Sequence, residues 1–322
     1  MKAVVFEKLG GPEVLHLKDI PKPQAGPGTV VVRVRAAGIN FADTLFRQGQ
    51  YMMQPQLPEV PGFEAAGEID SVGAGVLNLK PGMRVAGIGA KTYAEYAVIP
   101  AGQVIPLPDS LSFDEGAAFP IQVLTAWHMI HTSHHMTPGQ TVLVHSAAGG
   151  VGIVAVQIAK AAGARVIGTV SSDSKAALVK EYGGDEVINY ATHDFAQETN
   201  RLTGGRGADL ILDAVGATTF EKGIGCVAPF GHIILYGRAG GPPQPLNMFA
   251  LFPKSAKASA FTLNTVAPLP EIMRRGIEES LKLIAQGKLK LLVGRKFPLA
   301  EAAEAHRFME SRQSTGKLVL TA

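Results

Sequence analysis

The segment Thr141-Val142-Leu143-Val144-His145-Ser146-Ala147-Ala148-Gly149-Gly150-Val151-Gly152 runs a β-favouring stretch into a glycine-rich turn, and a helical pattern follows from Val151 to Ala162. Small residues at 147, 149 and 152 give the spacing Ala-x-Gly-x-x-Gly. At such a turn Gly149 lets the backbone come close to a pyrophosphate, and Gly152 lets helix and strand pack tightly. The helix start, with Gly150 and Val151, then offers free N–H groups and a positive dipole end to phosphates. Ala147 stands where the first glycine of the motif is usual, a departure that its small size tolerates. The segment predicts a dinucleotide site on a strand–turn–helix unit.

Downstream, the pattern keeps alternating. Strands are expected at Arg165–Val170, Glu186–Ile188, Ala208–Asp213 and His232–Tyr236, with helices at Lys175–Tyr182, Asp194–Leu202 and Thr219–Gly225 between them. Strands and helices at this spacing predict an α/β fold with a doubly wound parallel sheet, the Rossmann arrangement. Upstream, residues 1 to about 120 have a different texture. Short alternating stretches such as Thr29–Arg35, Gly67–Val72, Arg84–Ala86 and Ala94–Ile99 are cut by Gly and Pro, which predicts a β-barrel-like domain with one short helix near Ala42–Arg47. After Pro268 come a helix at Pro270–Gln286, a strand around Leu291–Phe297, a helix at Leu299–Glu310 and a strand at Lys317–Thr321. The expected organisation is 1–122 as a first, β-rich domain, 123–267 dinucleotide-binding, and 268–322 returning to complete the first domain.

An NAD site usually carries Asp or Glu at the tip of the second strand to accept from the ribose hydroxyls. Here that strand ends Gly168-Thr169-Val170-Ser171-Ser172, with Lys175 shortly after. A hydroxyl and an ammonium suit a 2′-phosphate, so NADPH is expected. Asp173 is the counter-signal and reads as a cap for the helix beginning near Lys175.

Composition narrows the function classes. Charged residues make up 18 % and the net charge is +3, with cations scattered rather than run together, so a nucleic-acid partner is not expected. A single cysteine, Cys226, excludes an internal disulfide and a cysteine-based zinc cage, and it reads as a buried apolar residue. No apolar run reaches membrane-spanning length, and Met1–Phe6 reads as a strand rather than a signal peptide, so a cytoplasmic protein is expected. His128, His131 and His135, with His134 beside them, fall at helical spacing and are read as a solvated, titrating face rather than a metal site.

Several separate motifs then join in order. These are Ala36-Ala37-Gly38-Ile39-Asn40-Phe41-Ala42-Asp43-Thr44, Pro61-Gly62-Phe63-Glu64-Ala65-Ala66-Gly67, Leu124-Thr125-Ala126-Trp127, His145–Gly152, Asp213-Ala214-Val215-Gly216 and Ser314-Thr315-Gly316-Lys317-Leu318-Val319-Leu320. Together they resemble the zinc-independent quinone oxidoreductases of the medium-chain dehydrogenase/reductase superfamily over nearly the whole chain. The resemblance implies a GroES-like β-barrel catalytic domain, a Rossmann domain, a cleft separating them, and a homodimer. Zinc-dependent relatives place a Cys after the Gly-Ile turn and a His in a Gly-His-Glu triplet. Here those places read Asn40–Asp43 and Gly62-Phe63-Glu64, and the cysteine-rich zinc loop is missing, so no zinc is expected.

The resemblance also implies roles. Asn40 and Tyr51 would stand beside the nicotinamide, Asn40 as an amide donor and Tyr51 as a proton donor to a developing enolate. Asp43 would cap the short helix or orient Asn40, with acid–base work as its lesser catalytic role. Phe46 replaces a tyrosine found in some relatives. Thr125, Gly237 and Asn264 would contact the cofactor and Tyr190 would lie near its 2′-phosphate. Arg312 and Lys317 would neutralise phosphate from the other domain. The expected activity is hydride transfer from NADPH to a quinone or similar conjugated carbonyl in the cleft. The rivals are an enoyl-thioester or alkenal reductase and a non-catalytic NADPH-binding protein with a regulatory or RNA-binding role.

Overall fold

The alternating Val-Val-Val-Arg-Val-Arg stretch becomes the long strand Thr29–Ile39, the centre of a seven-stranded sheet in the computed structural model, which describes residues 1–322 apart from the side chain of Thr218. On one side Thr29–Ile39 pairs antiparallel with Glu64–Val72, followed by Arg84–Ile88 and Val104–Pro106. On the other it pairs with Lys317–Thr321, which is followed by Val293–Pro298, and Tyr96–Pro100 also lies against it. Leu318 stands opposite Ile39 and Thr321 opposite Ala36, so the chain's end is built into the sheet formed by its beginning. One apolar cluster gathers Val30, Val32, Ile69, Val85 and Ile99; a second gathers Phe6, Val34, Ile39, Phe46, Tyr93, Phe297 and Leu318. Each buried Val, Ile or Phe of this kind stabilises by about 1.5–3 kcal/mol relative to exposure, which is what fixes the strand register.

The other unit, Gln122–Lys290, holds six parallel strands: β1 (Thr141–Val144), β2 (Arg165–Val170), β3 (Glu186–Asn189), β4 (Ala208–Asp213), β5 (Val227–Leu235) and β6 (Lys257–Ala260). They lie in the order β3-β2-β1-β4-β5-β6, all parallel. That is the doubly wound dinucleotide-binding order, with its reversal between β1 and β4. Leu143, Ile167, Ile188, Ile211, Val227 and Ile233, drawn from five different strands, form its core together with the buried Cys226.

Two sequence expectations are corrected here. The return to the first unit begins at Leu291, not at 268. The helix Pro270–Ala285 stays with the dinucleotide unit because its buried stripe of Met273, Gly276 and Ser280 packs there. A Cβ at Gly276 would come within 2.6 Å of His128 Nε2 and 3.3 Å of Trp127 Cε3. Gln157 then ties both backbone groups of Lys290, donating to its O at 3.0 Å and accepting from its N at 2.8 Å.

The histidines do not form a solvated face. His128 is fully buried and shares a hydrogen bond with Thr132 Oγ1 at 2.9 Å, and burial pushes its pKa down to about 4. His131 is half-buried against Trp127, and only His135 is exposed. The cause is packing from a distant element: Pro120–His128 runs on into a π-helical stretch, Met129–Ser133, and the helix Pro270–Ala285 lies against His128 at Gly276. Four elements carry no sequence expectation at all, namely His16–Asp19, Val104–Pro106, the 3-10 turns Met248–Lys254, and β6 itself. Among the described residues no group of three or more His, Cys, Asp or Glu side chains is arranged to hold a metal ion.

Candidate active site

In the dinucleotide unit, β1 leads into the helix Gly150–Ala161, capped by Gly149. The first backbone bond of that helix runs from Ile153 N–H to Gly149 O at 2.9 Å, so the N–H groups of Gly150, Val151 and Gly152 lie ahead of it. A Cβ on Gly152 would sit 2.2 Å from Ser146 O, so no larger residue fits without moving the turn. The unusual Ala147 is accommodated from the neighbouring strand: a Cβ on Gly168 of β2 would lie 2.9 Å from the Ala147 Cβ. The glycine missing from the turn is supplied across the sheet. This turn retains the open backbone cradle that a pyrophosphate requires.

The other expected cofactor residues of this unit gather largely at one end of its sheet. Ser171 follows β2, Tyr190 follows β3, Gly237 follows β5 and Asn264 follows β6, the carboxyl ends where open α/β sheets bind ligands. Thr125 is buried on the helix Pro120–His128. The helix cap near Lys175 is Ser172, whose hydroxyl accepts from Lys175 N–H at 3.4 Å, and not Asp173 as expected. Asp173 instead accepts from Asn189 Nδ2 at 2.9 Å, which turns the acid toward β3. The Lys175 ammonium is partly buried, and desolvation lowers its pKa, a cost that a bound anion would offset. Gly237 lies so close to Ala214 that a Cβ would come within 2.7 Å of its carbonyl oxygen.

The first unit brings Asn40, Glu64 and Lys317 into a closed ring. Lys317 Nζ donates to Asn40 Oδ1 at 2.7 Å and to Glu64 Oε1, while Asn40 Nδ2 donates to Glu64 Oε1 at 2.8 Å. The second oxygen, Glu64 Oε2, accepts from Ile121 N–H at 2.7 Å. Lys317 and Glu64 are both buried. Gly38 makes room for the pair, since a Cβ there would meet Lys317 Cε at 2.7 Å and Glu64 Cγ at 2.8 Å. Lys317 is therefore not an outward-facing phosphate ligand: its ammonium is spent inside the catalytic unit. Arg312, by contrast, is exposed, with a left-handed backbone at φ 60°. The ring also fixes the Asn40 amide, leaving one Nδ2 hydrogen for another partner.

Asp43 reaches back from the short helix Phe41–Arg47 to accept from Asn40 N–H at 2.7 Å, as a helix cap should. Its carboxyl is fully buried, and desolvation raises its pKa to about 7 against the pull of its hydrogen bonds. Tyr51 follows the helix in a loop, half-buried, with its ring 5.7 Å from that of Phe63. Burial first, and then the Asp43 charge, hold its hydroxyl above the ordinary phenol pKa. Phe46 joins the core, edge-on to Phe6 and Phe63, and carries no chemistry. Sequence reading missed Glu64 as the hub of the ring. Its signal was a carboxylate heading an otherwise apolar strand, Glu64-Ala65-Ala66-Gly67, opposite the equally odd Gly38.

Residues 26–109 match the family described as alcohol dehydrogenase GroES-like domain, and residues 150–280 match that described as zinc-binding dehydrogenase. A quinone oxidoreductase of Pseudomonas aeruginosa is 39 % identical, with 99 % of each chain covered. A 2-haloacrylate reductase of a Burkholderia species is 36 % identical over 99 % of this chain and 98 % of its own. The crystal structure of Escherichia coli quinone oxidoreductase complexed with NADPH superposes with a TM-score of 0.96 at 34 % identity, covering 100 % of both chains. An α/β dehydrogenase architecture with a glycine-turn dinucleotide site is thus matched along its whole length. The chain belongs to the quinone oxidoreductases of the medium-chain dehydrogenase/reductase superfamily.

Proposed function

We propose that the protein is an NADPH-dependent reductase that works without zinc and passes hydride to a quinone or a similar conjugated carbonyl. The observation that carries the metal-free reading is the Asn40–Glu64–Lys317 ring. Glu64, the carboxylate of the triplet in which zinc-dependent relatives carry a ligand, is saturated by the protein's own ammonium, an amide and a backbone N–H. When bound, NADPH supplies the hydride. Gly150, Val151 and Gly152 hold its pyrophosphate, Ser171, Lys175 and Tyr190 its 2′-phosphate, and Thr125, Gly237, Asn264 and Arg312 the remainder.

An acceptor that needs no metal must already be electron-poor, and quinones meet that condition. Its carbonyl oxygen is polarised by the remaining Asn40 N–H, which is strengthened because Lys317 withdraws charge through Asn40 Oδ1. Tyr51 gives the proton that follows the hydride. An activated alkene is the second reading, favoured by the similarity to a protein named for 2-haloacrylate reduction.

The reading extends to a homodimer joined at β6, the edge of the parallel sheet, flanked by the exposed Phe249 and Phe252. It places the protein in the cytoplasm, where its single buried cysteine stays reduced. No helix is long and apolar enough to cross a membrane among the described residues.

The test is stopped-flow oxidation of bound NADPH against a benzoquinone, an enal and an enoyl thioester. Fast consumption by the quinone is expected. Consumption by the thioester alone would replace the substrate class, and binding without turnover on any of the three would end the enzymatic reading.

A further inference from the structure

Behind Asp43 lies a buried polar chain that the proposed reaction does not yet use. Arg47, fully buried on the same short helix, donates from Nε to Gly10 O at 3.0 Å, from Nη2 to Glu310 Oε1 at 2.5 Å, and from Nη1 to His306 Nδ1 at 3.0 Å. His306 Nε2 lies 3.2 Å from Tyr93 Oη, and Tyr93 Oη donates to Asp43 Oδ2 at 2.9 Å. Tyr93 and His306 are both fully buried.

The direction of every hydrogen in this chain follows from Arg47, which has donors only. His306 Nδ1 must accept, so Nε2 carries the ring hydrogen and gives it to Tyr93 Oη. The phenol hydrogen is then left for Asp43. Burial and then the neighbouring Arg47 charge hold His306 neutral, its pKa pushed down to about 3. The chain therefore cannot shuttle protons, because its far end never releases one. It is a fixed orienting device.

Its effect is to make the two Asp43 oxygens unequal. Oδ2 accepts twice, from Asn40 N–H and from Tyr93 Oη. Oδ1 is buried with no partner among the described residues. A charge left on such an oxygen is far more costly than a neutral O–H, so Oδ1 is the atom that holds a proton. The other charges facing this carboxyl, Lys317 and Glu64, oppose one another and are locked in their own ion pair. Tyr51 is the remaining titratable group that senses the Asp43 charge.

We propose that burial holds Asp43 as a neutral acid while Arg47, His306 and Tyr93, as positioning residues, fix its Oδ2 and leave Oδ1 to carry the proton, so that Tyr51 can release its own proton beside an uncharged neighbour. The inference rests on the reading of Tyr51 as proton donor. In the step concerned, the acceptor has taken up hydride and carries an anionic oxygen. The Tyr51 O–H bond breaks, an O–H bond forms on the acceptor, and the phenolate regains its proton from water. An ionised Asp43 would resist the phenolate; a neutral one does not.

The test is the pH profile of kcat in the intact protein, together with carbon-13 NMR of ring-labelled tyrosine, with the Tyr51 signal assigned by its loss in Tyr51→Phe. Wild type should lose activity as pH rises through the Asp43 transition near about 7, approaching tenfold per pH unit. Asp43→Asn keeps the acceptor and removes the charge, so the fall should vanish. Tyr93→Phe removes a donor that favours the carboxylate, so the fall should move to higher pH. By NMR, with no acceptor present, Tyr51 in Asp43→Asn should ionise at lower pH than in wild type. A fall that persists in Asp43→Asn, or a Tyr51 titration unmoved by it, would overturn the proposal. A shifted Tyr51 titration in a protein that reduces no quinone would support the arrangement and count against the substrate class alone.

Discussion

At the residue level, the ring of Asn40, Glu64 and Lys317 shows what a single buried charge demands. Glu64 and Lys317 are removed from water, and each is tolerable only because the other is within bonding distance. Removing one partner strands the other. Lys317→Met should therefore destabilise the fold by about 3–5 kcal/mol, whereas Glu64→Gln combined with Lys317→Met should recover much of that loss. Urea denaturation of the two single variants and the double variant measures the coupling directly. If the effects simply add, the ring contributes nothing as a pair. This also explains why Lys317 was misread from sequence. A lysine in Ser-Thr-Gly-Lys near a strand looks like a phosphate contact. The feature that redirects it is Gly38, 279 positions earlier, whose missing Cβ opens the space the ammonium enters.

Elements were legible wherever the constraint was local. The turn Ala147–Gly152, the alternation after it and the strand Thr29–Ile39 all carry their signal within a dozen residues, as hydrophobic period or as glycine placement. What escaped depended on partners distant in the chain. β6 has exposed, weakly patterned residues, Lys257-Ala258-Ser259-Ala260, and is a strand only because β5 lies alongside it. The helix Pro270–Ala285 was recognised as a helix but assigned to the wrong unit, since nothing within it says which surface its buried stripe will meet. Likewise Asp43 and Tyr51 could be named from resemblance, but Tyr93, His306 and Arg47 are scattered over 260 positions and meet only in the fold. The Ala147–Gly168 contact gives a test at this scale. Gly168→Ala alone should clash with Ala147 Cβ and with Val179 Cγ1, each 2.9 Å from the new atom, at a cost of about 1–3 kcal/mol. Adding Ala147→Gly removes one of the two clashes and restores the usual three-glycine turn. The double variant should be more stable than Gly168→Ala alone and should bind NADPH. Thermal unfolding with and without NADPH reports both effects, and a double variant no better than the single one would show that the two positions do not compensate.

For the whole molecule, the edge at β6 is the feature that a monomer would struggle to keep soluble. An unpaired strand offers a row of backbone donors and acceptors, and such edges are normally covered, charged or paired. Here β6 carries one lysine at its start, and close by in sequence Met248, Phe249 and Phe252 stand out with 64 %, 79 % and 78 % of their surfaces exposed. Phe249 and Phe252 lie with their rings 6.1 Å apart, so they form a patch rather than isolated residues. Exposed apolar surface just ahead of an edge strand in the chain suits a second copy of the same edge. A twofold axis there would pair β6 with its counterpart and cover both patches at once. Phe249→Asp with Phe252→Asp should convert a dimer to a monomer in sedimentation velocity at micromolar concentration, because two buried charges facing their own copies cannot be paired. The internal core is untouched by these changes, so circular dichroism should stay native. A protein that sediments as a monomer before mutation would refute the dimer, and one that stays a dimer after it would place the interface elsewhere; either result would leave the exposed phenylalanines to be explained by another partner.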